Sequence, residues 1–300
     1  MNLSDKKEMV FENEMGNASV SEYSVFPGVT LSFTSVHTDN FKPDISNEGT
    51  FVEIHHCREG RLEQTVGDDF FYLMPGDLSV SVKNKPSDIY SFPLRHYHGV
   101  TIFINVDIAP RCFSSFLEDV RVQPIEVAKK LCGDKNRFIL RNEEYVEHIF
   151  SELYSIPEEM RKGYFKIKIL ELLFVLNGIG PSADTSETVS LSKTQVRLAK
   201  QAAEFLSENM DKRVTIADLA KMFNVSDTYL KNAFKGVYGV PISSFGRIQK
   251  MQSAAQMLIH TDKSVSEVAY IFGYSNESKF TSAFKKIMGD NPGKYKKMNG

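Results

Sequence analysis

Cysteine is scarce in this 300-residue chain: Cys57, Cys112 and Cys132 are widely spaced and odd in number. That excludes a disulfide framework and a paired-cysteine zinc site, and it leaves reduced, buried, structural thiols as the expectation. Long hydrophobic runs are lacking as well. The longest, Ile167 to Leu176, is interrupted by Lys168 and Glu171 and is too short to span a bilayer. The opening MNLSDKKEMVFENEM has no apolar core of a signal peptide. These absences predict a cytoplasmic protein without a membrane partner. Gly-rich phosphate loops, nucleophile-elbow strings and paired catalytic carboxylates are also absent, so neither an enzyme nor a cofactor is expected. What is present is ordinary globular composition, 42% apolar and 25% charged. The net charge of -2 hides a split. From Leu191 onward there are 17 Lys plus Arg against 9 Asp plus Glu, and residues 1–190 carry 19 against 29. A polyanion contact therefore belongs to the C-terminal third.

From Phe26 to about Asn105 apolar and polar residues alternate, as in Val29, Leu31 and Phe33 against Thr30, Ser32 and Thr34. Turn signals at Pro27-Gly28, Gly60, Gly67-Asp68, Pro75-Gly76-Asp77 and Pro86 divide this stretch into seven or eight strands, a sandwich or barrel. After Pro110 the period becomes helical. Val146, Ile149, Phe150 and Leu153 mark a helix limited by Pro157, and a second runs from Phe165 to Leu176. The second is apolar on nearly every side, so it must be covered either within the chain or by a second copy. A homodimer through residues 143–178 is one of those two solutions. Residues 178–192, GIGPSADTSETVSLS, have the composition of a linker. The predicted organisation is a β-domain with a helix pair over 1–178, a linker over 179–192 and an all-α domain over 193–300.

The last 110 residues contain one pattern written twice. Asp218, Leu219, Ala220, Phe223, Leu230, Phe234, Lys235 and Gly239 recur about fifty positions later as Glu267, Val268, Ala269, Phe272, Phe280, Phe284, Lys285 and Gly289. A short apolar helix, a tight turn and a second helix ending in basic residues form a helix-turn-helix. Asn224 and Gly273 hold the turns, where a left-handed backbone is tolerated. Thr215 or its neighbours cap the first scaffold helix, and Ser226 and either Ser275 or Asn276 cap the second helix of each unit. Between the units, a connecting helix begins near Pro241, with the proline in its first turn. About 18 residues at roughly 1.5 Å each span about 27 Å, which sets the two reading helices near one DNA turn, about 34 Å, apart.

The strings DLAKMFNVSDTYLKNAFKGVYGVPISSF, KMQSAAQML and SVSEVAYIFGYSNESKFTSAFKKIMGDNPGKY resemble the AraC/XylS family of bacterial transcription regulators over roughly Val196 to Lys297. Lys250 and Lys296 depart from arginines usual in the family, which keeps charge but loses a bidentate fork. The resemblance implies a sequence-specific DNA-binding regulator with promoter DNA and RNA polymerase as partners, controlled by a small-molecule effector or partner at the N-terminal domain. It places Thr228, Lys231, Asn232 and Lys235 on the first reading face, and Glu277, Ser278, Thr281 and Ser282 on the second, followed by Lys285 and Lys286. Asn232 suits paired hydrogen bonds to adenine, Lys231 donation to guanine and Lys235 phosphate. Glu277 can accept from cytosine, while hydroxyls read almost any base weakly. The alternative is that the lysines merely solvate an exposed face.

The segment FVEIHHCREGRLEQTVGDDFFYLMPGDLSVS is similar to the start of a cupin-type sensor barrel, mainly through EGRLE and MPGD. The layout of barrel, helix pair and reader further resembles the siderophore-regulator (PchR-like) branch of the family. Cupin enzymes hold a metal with a His-x-His pair, a glutamate and a later histidine. Here His55 and His56 are adjacent and point to opposite faces of a strand. Glu59 and Glu63 are available and His96 and His98 share a face if strand-borne, but no histidine follows the Pro-Gly-Asp turn at the close spacing. No metal site is expected on that ground. The barrel interior is lined by Phe51, Glu53 and His55 or by the opposite-face set, a choice that register makes, and the effector is open. Three rivals remain at this level. One is a cupin enzyme using Glu63, His96 or His98; another is an alkyl-accepting repair protein, which the isolated cysteines suit poorly; the third is an architectural DNA binder without effector.

Overall fold

A computed structural model describes residues 6–13, 16–42, 49–66, 69–84, 90–111, 113, 122–184, 190–209 and 214–299. The turns expected at Gly67-Asp68 and Pro86, and Cys112, lie outside them. The chain divides into two compact units, Met1–Ser192 and Lys193–Gly300.

The first unit contains β1 (Lys6–Asn13), β2 (Gly16–Phe26), β3 (Val29–Val36), β4 (Asn40–Phe41), β5 (Phe51–Gly60), β6 (Leu62–Val66), β7 (Asp69–Leu73), β8 (Leu78–Lys83), β9 (Tyr90–Ser91) and β10 (Tyr97–Asn105). Helix α1 (Pro124–Cys132), β11 (Arg137–Leu140), α2 (Glu144–Ser155) and α3 (Arg161–Gly178) follow. Two antiparallel sheets result, one ordered β1-β2-β3-β10-β5-β8-β11 and the other β4-β9-β6-β7. This is the cupin-like β-domain with its helices. The alternating stretch yields its eight strands, but β1, β2 and β11 fall outside it. β1, KKEMVFEN, is a charged, largely exposed edge strand with no apolar alternation to detect. β11 is only four residues long.

Alternation decides what each sheet face does. On the helix side, Leu31, Val52, Ile54, Val100, Ile102 and Ile104 pack with Phe150 of α2 and Phe165, Ile169 and Leu172 of α3 in one core. Between the sheets lies a second core, including Cys57, Leu62, Phe71, Phe92 and Tyr97. β5 is buried on both faces for its first seven residues, which is why no polar alternation marks it in the sequence. The hairpin after β5 depends on Gly60. Its φ is +81°, and a Cβ there would come within 1.9 Å of the His96 carbonyl oxygen. At the Pro-Gly-Asp turn, Asp77 accepts the Met74 N–H at 2.6 Å and pairs with Arg141.

Helix α3 answers its own all-round apolarity only in part. Phe165, Ile169, Leu172, Leu173 and Leu176 are buried, whereas Ile167 and Phe174 are 61% and 53% exposed. Lys168 is held among them by Glu152 of α2 and by Glu171, the latter at 2.7 Å. The segment read as a linker is partly attached: residues 181–183 form a turn of 3₁₀ helix, Asp184 accepts the Ile139 N–H at 3.1 Å, and Leu191 bridges to Phe70.

The second unit comprises α4 (Lys193–Glu208), α5 (Ile216–Met222), α6 (Asp227–Tyr238), α7 (Ile242–His260), α8 (Val265–Ile271), α9 (Glu277–Met288) and α10 (Pro292–Asn299). α5 and α8 begin with reciprocal capping boxes. Thr215 accepts the Asp218 N–H at 3.2 Å and Asp218 accepts the Thr215 N–H at 3.1 Å; the same pair of bonds joins Ser264 and Glu267 at 3.2 and 2.7 Å. After α5 the chain turns through Asn224 at φ +54°, and after α8 through Gly273 at φ +82°. Val225 N–H then closes onto the Ala220 carbonyl at 3.0 Å, as Tyr274 does onto Ala269 at 2.9 Å. Ser226 caps α6, and Asn276 rather than Ser275 caps α9. The second turn is therefore one residue longer than the first.

α7 packs against helices of both motifs. Phe245 meets Phe234 and Tyr238 of α6 at ring-centroid distances of 5.2 and 4.8 Å. Met251, Ala254, Ala255 and Leu258 share a core with Val268, Ala269, Phe280, Phe284 and Tyr295. Each fully buried Phe contributes on the order of 1.5–3 kcal/mol. Pro241 is the N-cap of α7 instead of a first-turn residue. α10, which the sequence reading does not include, buries Tyr295 beside Phe284 at 5.5 Å. It also gives Lys296 a structural task. The ammonium donates to the carbonyls of Thr261 and Lys263, 2.9 Å each, beyond the end of α7. The lysine at this position is thus engaged with backbone rather than available to phosphate.

Candidate functional site

Two outward faces follow from this packing. On α6, Leu230, Ala233, Phe234, Val237 and Tyr238 are buried, which turns Thr228, Lys231, Asn232 and Lys235 to solvent. On α9, burial of Phe280 and Phe284 leaves Glu277, Ser278, Ser282, Lys285 and Lys286 exposed and Thr281 half-buried. All ten residues expected from sequence thus sit on the two second helices, and nine are fully outward. Among the described residues, the side chains of Lys231, Lys235, Lys285 and Lys286 have no ion-pair or hydrogen-bond partner. A cation left without an internal partner on an exposed helix face is free to meet a phosphate.

The structure adds two residues. Arg247, near the start of α7, and Lys279 line a shallow cleft together with Asn276, Ser278, Ser282 and Lys286. Arg247 escapes the doubled pattern because the connecting helix lies outside the repeat. Arg247 is exposed on α7, but nothing in the sequence aims it at α9.

In the β-unit, a cavity of about 250 Å³ opens between the two sheets. Thr30, Ser32 and Thr34 of β3 and Thr101 of β10 bring hydroxyls to it, and Phe11, Phe41, Tyr90, Phe92, Tyr97 and Phe103 bring aromatic walls. Register selects the set Phe51, Glu53 and His55 for this side of β5, and only His55 reaches the lining. Its Nδ1 lies 3.1 Å from Thr101 Oγ1 and its Nε2 3.3 Å from Glu53. Glu53 is fully buried and accepts from Lys83 at 2.5 Å. Burial pushes its carboxyl upward, but the hydrogen bond from His55 and the charge of Lys83 outweigh that and hold it at about 2. Phe51 instead stacks on Phe103 at 4.8 Å.

His56 faces the other way. It stacks on Phe150 at 4.1 Å and approaches Glu147 of α2 at 2.9 Å, and burial lowers its pKa against the pull of Glu147. Glu63, grouped with His96 and His98 in the enzyme alternative, is not among them; it accepts from Tyr72 at 2.7 Å on the smaller sheet. Cys57 and Cys132 are buried thiols, each pushed up to about 12 chiefly by burial.

Comparison with known proteins places the helical unit. Residues 219–298 match a helix-turn-helix domain family. The melibiose operon regulatory protein of Escherichia coli is 28% identical over 153 residues, 49% of this chain and 51% of that protein. The chain thus matches about half the length of that relative. An uncharacterized HTH-type transcriptional regulator of Bacillus subtilis, YdeC, is 23% identical over 257 residues, 83% of this chain and 81% of the relative. A solved transcriptional regulator of the AraC-type from Chromobacterium violaceum aligns with a TM-score of 0.32 and 21% identity, covering 35% of this chain and 93% of that one. No helix among the described residues is long and apolar enough to cross a membrane. Through residues 219–298 the C-terminal unit thus carries this helix-turn-helix domain, and the relatives it resembles are transcriptional regulators.

Proposed function

We propose that the chain is a sequence-specific transcriptional regulator in which a small molecule in the β-unit controls how two reading helices engage promoter DNA. The observation that carries this reading is the pair of capped helix-turn-helix motifs built on one helix, each turning unpartnered cations outward. α7 has 19 residues, about 28 Å of helix, which together with its flanking motifs suits two successive major grooves about 34 Å apart. The first reader selects through Asn232 and Lys231; the second, with Ser278, Thr281, Ser282 and a cluster of Arg247, Lys279, Lys285 and Lys286, acts more as a clamp.

The cavity supports the control half of the proposal. Its volume of about 250 Å³ lies just below the roughly 300–1,000 Å³ of drug-sized ligand pockets, so the effector is small. Hydroxyls and an imidazole set among aromatic rings favour a compact molecule with both polar and apolar groups. Control requires that this molecule bind one arrangement of the protein more tightly than another. Catalysis is not part of this reading, because the described cysteines are buried, protonated thiols unsuited to alkyl transfer. A homodimer is part of it, since Ile167, Leu170 and Phe174 recur at helical spacing on the outer side of α3, with Ile167 and Phe174 exposed.

The test is occupancy of the full chain across genomic DNA, followed by affinity for the recovered sequences and for random duplex. The expected result is a specificity ratio of roughly 10³ or more at physiological salt. Equal affinity for both would make the protein an architectural binder.

A further inference from the structure

At one end of the seven-stranded sheet, three histidines that are not among the cavity-lining residues meet a glutamate. His37 follows β3, His96 precedes β10, His98 is the second residue of β10, and Glu59 is the penultimate residue of β5. The register brings them together: β10 lies between β3 and β5, with His98 opposite Ser35 on one side and Glu59 on the other. Ring centroids are 4.9 Å apart for His96 and His98, 5.6 Å for His37 and His96, and 5.7 Å for His37 and His98. His96 Nε2 stands 3.5 Å from a Glu59 carboxylate oxygen.

Packing alone accounts poorly for this arrangement. The Nδ1 of His96 is buried without a hydrogen-bond partner among the described residues, and three adjacent imidazoles would repel one another if protonated. Imidazole nitrogens thus converge beside a carboxylate. That donor set suits a borderline divalent transition ion rather than magnesium or calcium. The spacing agrees. One ligating atom from each of Glu59, His96 and His98 lies within 4.8 Å of the others. A tetrahedral zinc ion with bonds of about 2.0–2.1 Å sets its ligand atoms roughly 3.3 Å apart. The Glu59–His96 edge is already near that value, and rotation of the exposed Glu59 and the half-buried His96 and His98 can close the rest. Glu59 and His96 have side-chain exposures of 53% and 24%, which leaves an entry path.

We propose that Glu59, His96 and His98, with His37 as a fourth donor, form a binding site for a divalent transition metal of the zinc class. The ion would tie the ends of β3, β5 and β10 together. This site is independent of the DNA-reading proposal, and its test has its own readout. The untagged full chain, stripped with chelator, is titrated with Co²⁺ and then with Zn²⁺. One equivalent of Co²⁺ with visible ligand-field absorption, displaced stoichiometrically by Zn²⁺, is expected. His98→Ala should weaken Zn²⁺ binding by more than the roughly 10–100-fold that loss of a merely supporting residue costs, while His260→Gln in the helical unit should leave it unchanged. Should His98→Ala fail to fold, Glu59→Gln on an exposed side chain serves instead, with circular dichroism as the control for folding. Absence of Zn²⁺ binding below millimolar concentration, or one-equivalent binding with the same affinity in folded Glu59→Gln and parent, would overturn the proposal.

Discussion

The two units treat polar side chains in opposite ways. Among the described residues, Glu53, His55, His56, Arg61, Glu63, Asp77, Arg137 and Lys168 are buried in the β-unit, whereas Gln249 is the one buried polar residue of the helical unit. The helical unit keeps an apolar inside and displays its chemistry on the surface. The β-unit carries its chemistry within, where each group must find a partner or be costly. A reader of DNA needs exposed groups already in place. A receiver of a small molecule needs internal ones, and its stability depends on their staying paired.

The contrast can be broken experimentally, beginning with the largest effect. Phe284→Ala empties a fully buried position in the second helix-turn-helix and should cost about 3–5 kcal/mol, seen as lost hydrogen-exchange protection in α8–α10 with the β-unit untouched. Lys83→Met tests the other unit. It leaves the buried Glu53 carboxylate with His55 as its remaining partner and should cost about 3 kcal/mol, most of it recovered by adding Glu53→Gln, because the penalty comes from a buried charge whose ammonium partner is gone. If Lys83→Met proves neutral, the β-unit tolerates buried charge and the comparison fails. Next, Asn232→Ala should lose about 1–3 kcal/mol on the selected DNA sequence and relax one base position, while Lys235→Ala weakens all sequences alike and lowers the salt slope by about one. Equal losses from both on random duplex would dissolve the division between reading and holding. Removing either capping-box hydroxyl, Thr215→Ala or Ser264→Ala, should cost about 1 kcal/mol, measured as local exchange in α5 or α8. Acid provides the finest discrimination. Glu53 is depressed from 4.5 to about 2 in the folded protein, so its contribution is complete above the unfolded value and is lost as pH falls from 4.5 through about 2. Asp218 and Glu267 are also lowered, by their capping hydrogen bonds, but are fully exposed. Exchange protection in β5 and β8 should therefore respond to acid over that window more strongly than protection in α5 and α8.

The same contrast explains what the sequence discloses. In the helical unit, apolar means inside and polar means outside, so the repeat, the caps at Thr215 and Ser226 and the exposed faces of α6 and α9 are all legible at helical spacing. What escapes there is Lys279 on α9 itself and, from beyond the repeat, Arg247 on the connecting helix and Lys296, whose partners are backbone carbonyls thirty-odd positions away. In the β-unit the inside is chemically mixed. β5 reads as neither alternating nor continuous, because Glu53, His55 and His56 are buried on its two faces. Only pairing with β8 and β10 decides that His55 meets the cavity and His56 meets α2. The histidine cluster illustrates the limit. His96 and His98 are a visible pair, yet the acid beside them is Glu59 rather than Glu63, because β10 pairs with β5 while Glu63 lies on β6 of the other sheet, which no local pattern encodes.

One feature of the helical unit reaches beyond the protein. Both readers pack on α7, a continuous helix with no flexible joint between their contact points. Readers joined by a slack tether tolerate extra base pairs between their half-sites; readers fixed to a rod do not. Inserting about five base pairs, half of the roughly 10–10.5 in a turn, would rotate one half-site to the far side of the duplex, where this rod cannot follow. In the proposed complex the half-site spacing is thus set by α7, and a break in that helix should relax the demand for that spacing, allowing DNA with a half-turn insertion to be bound.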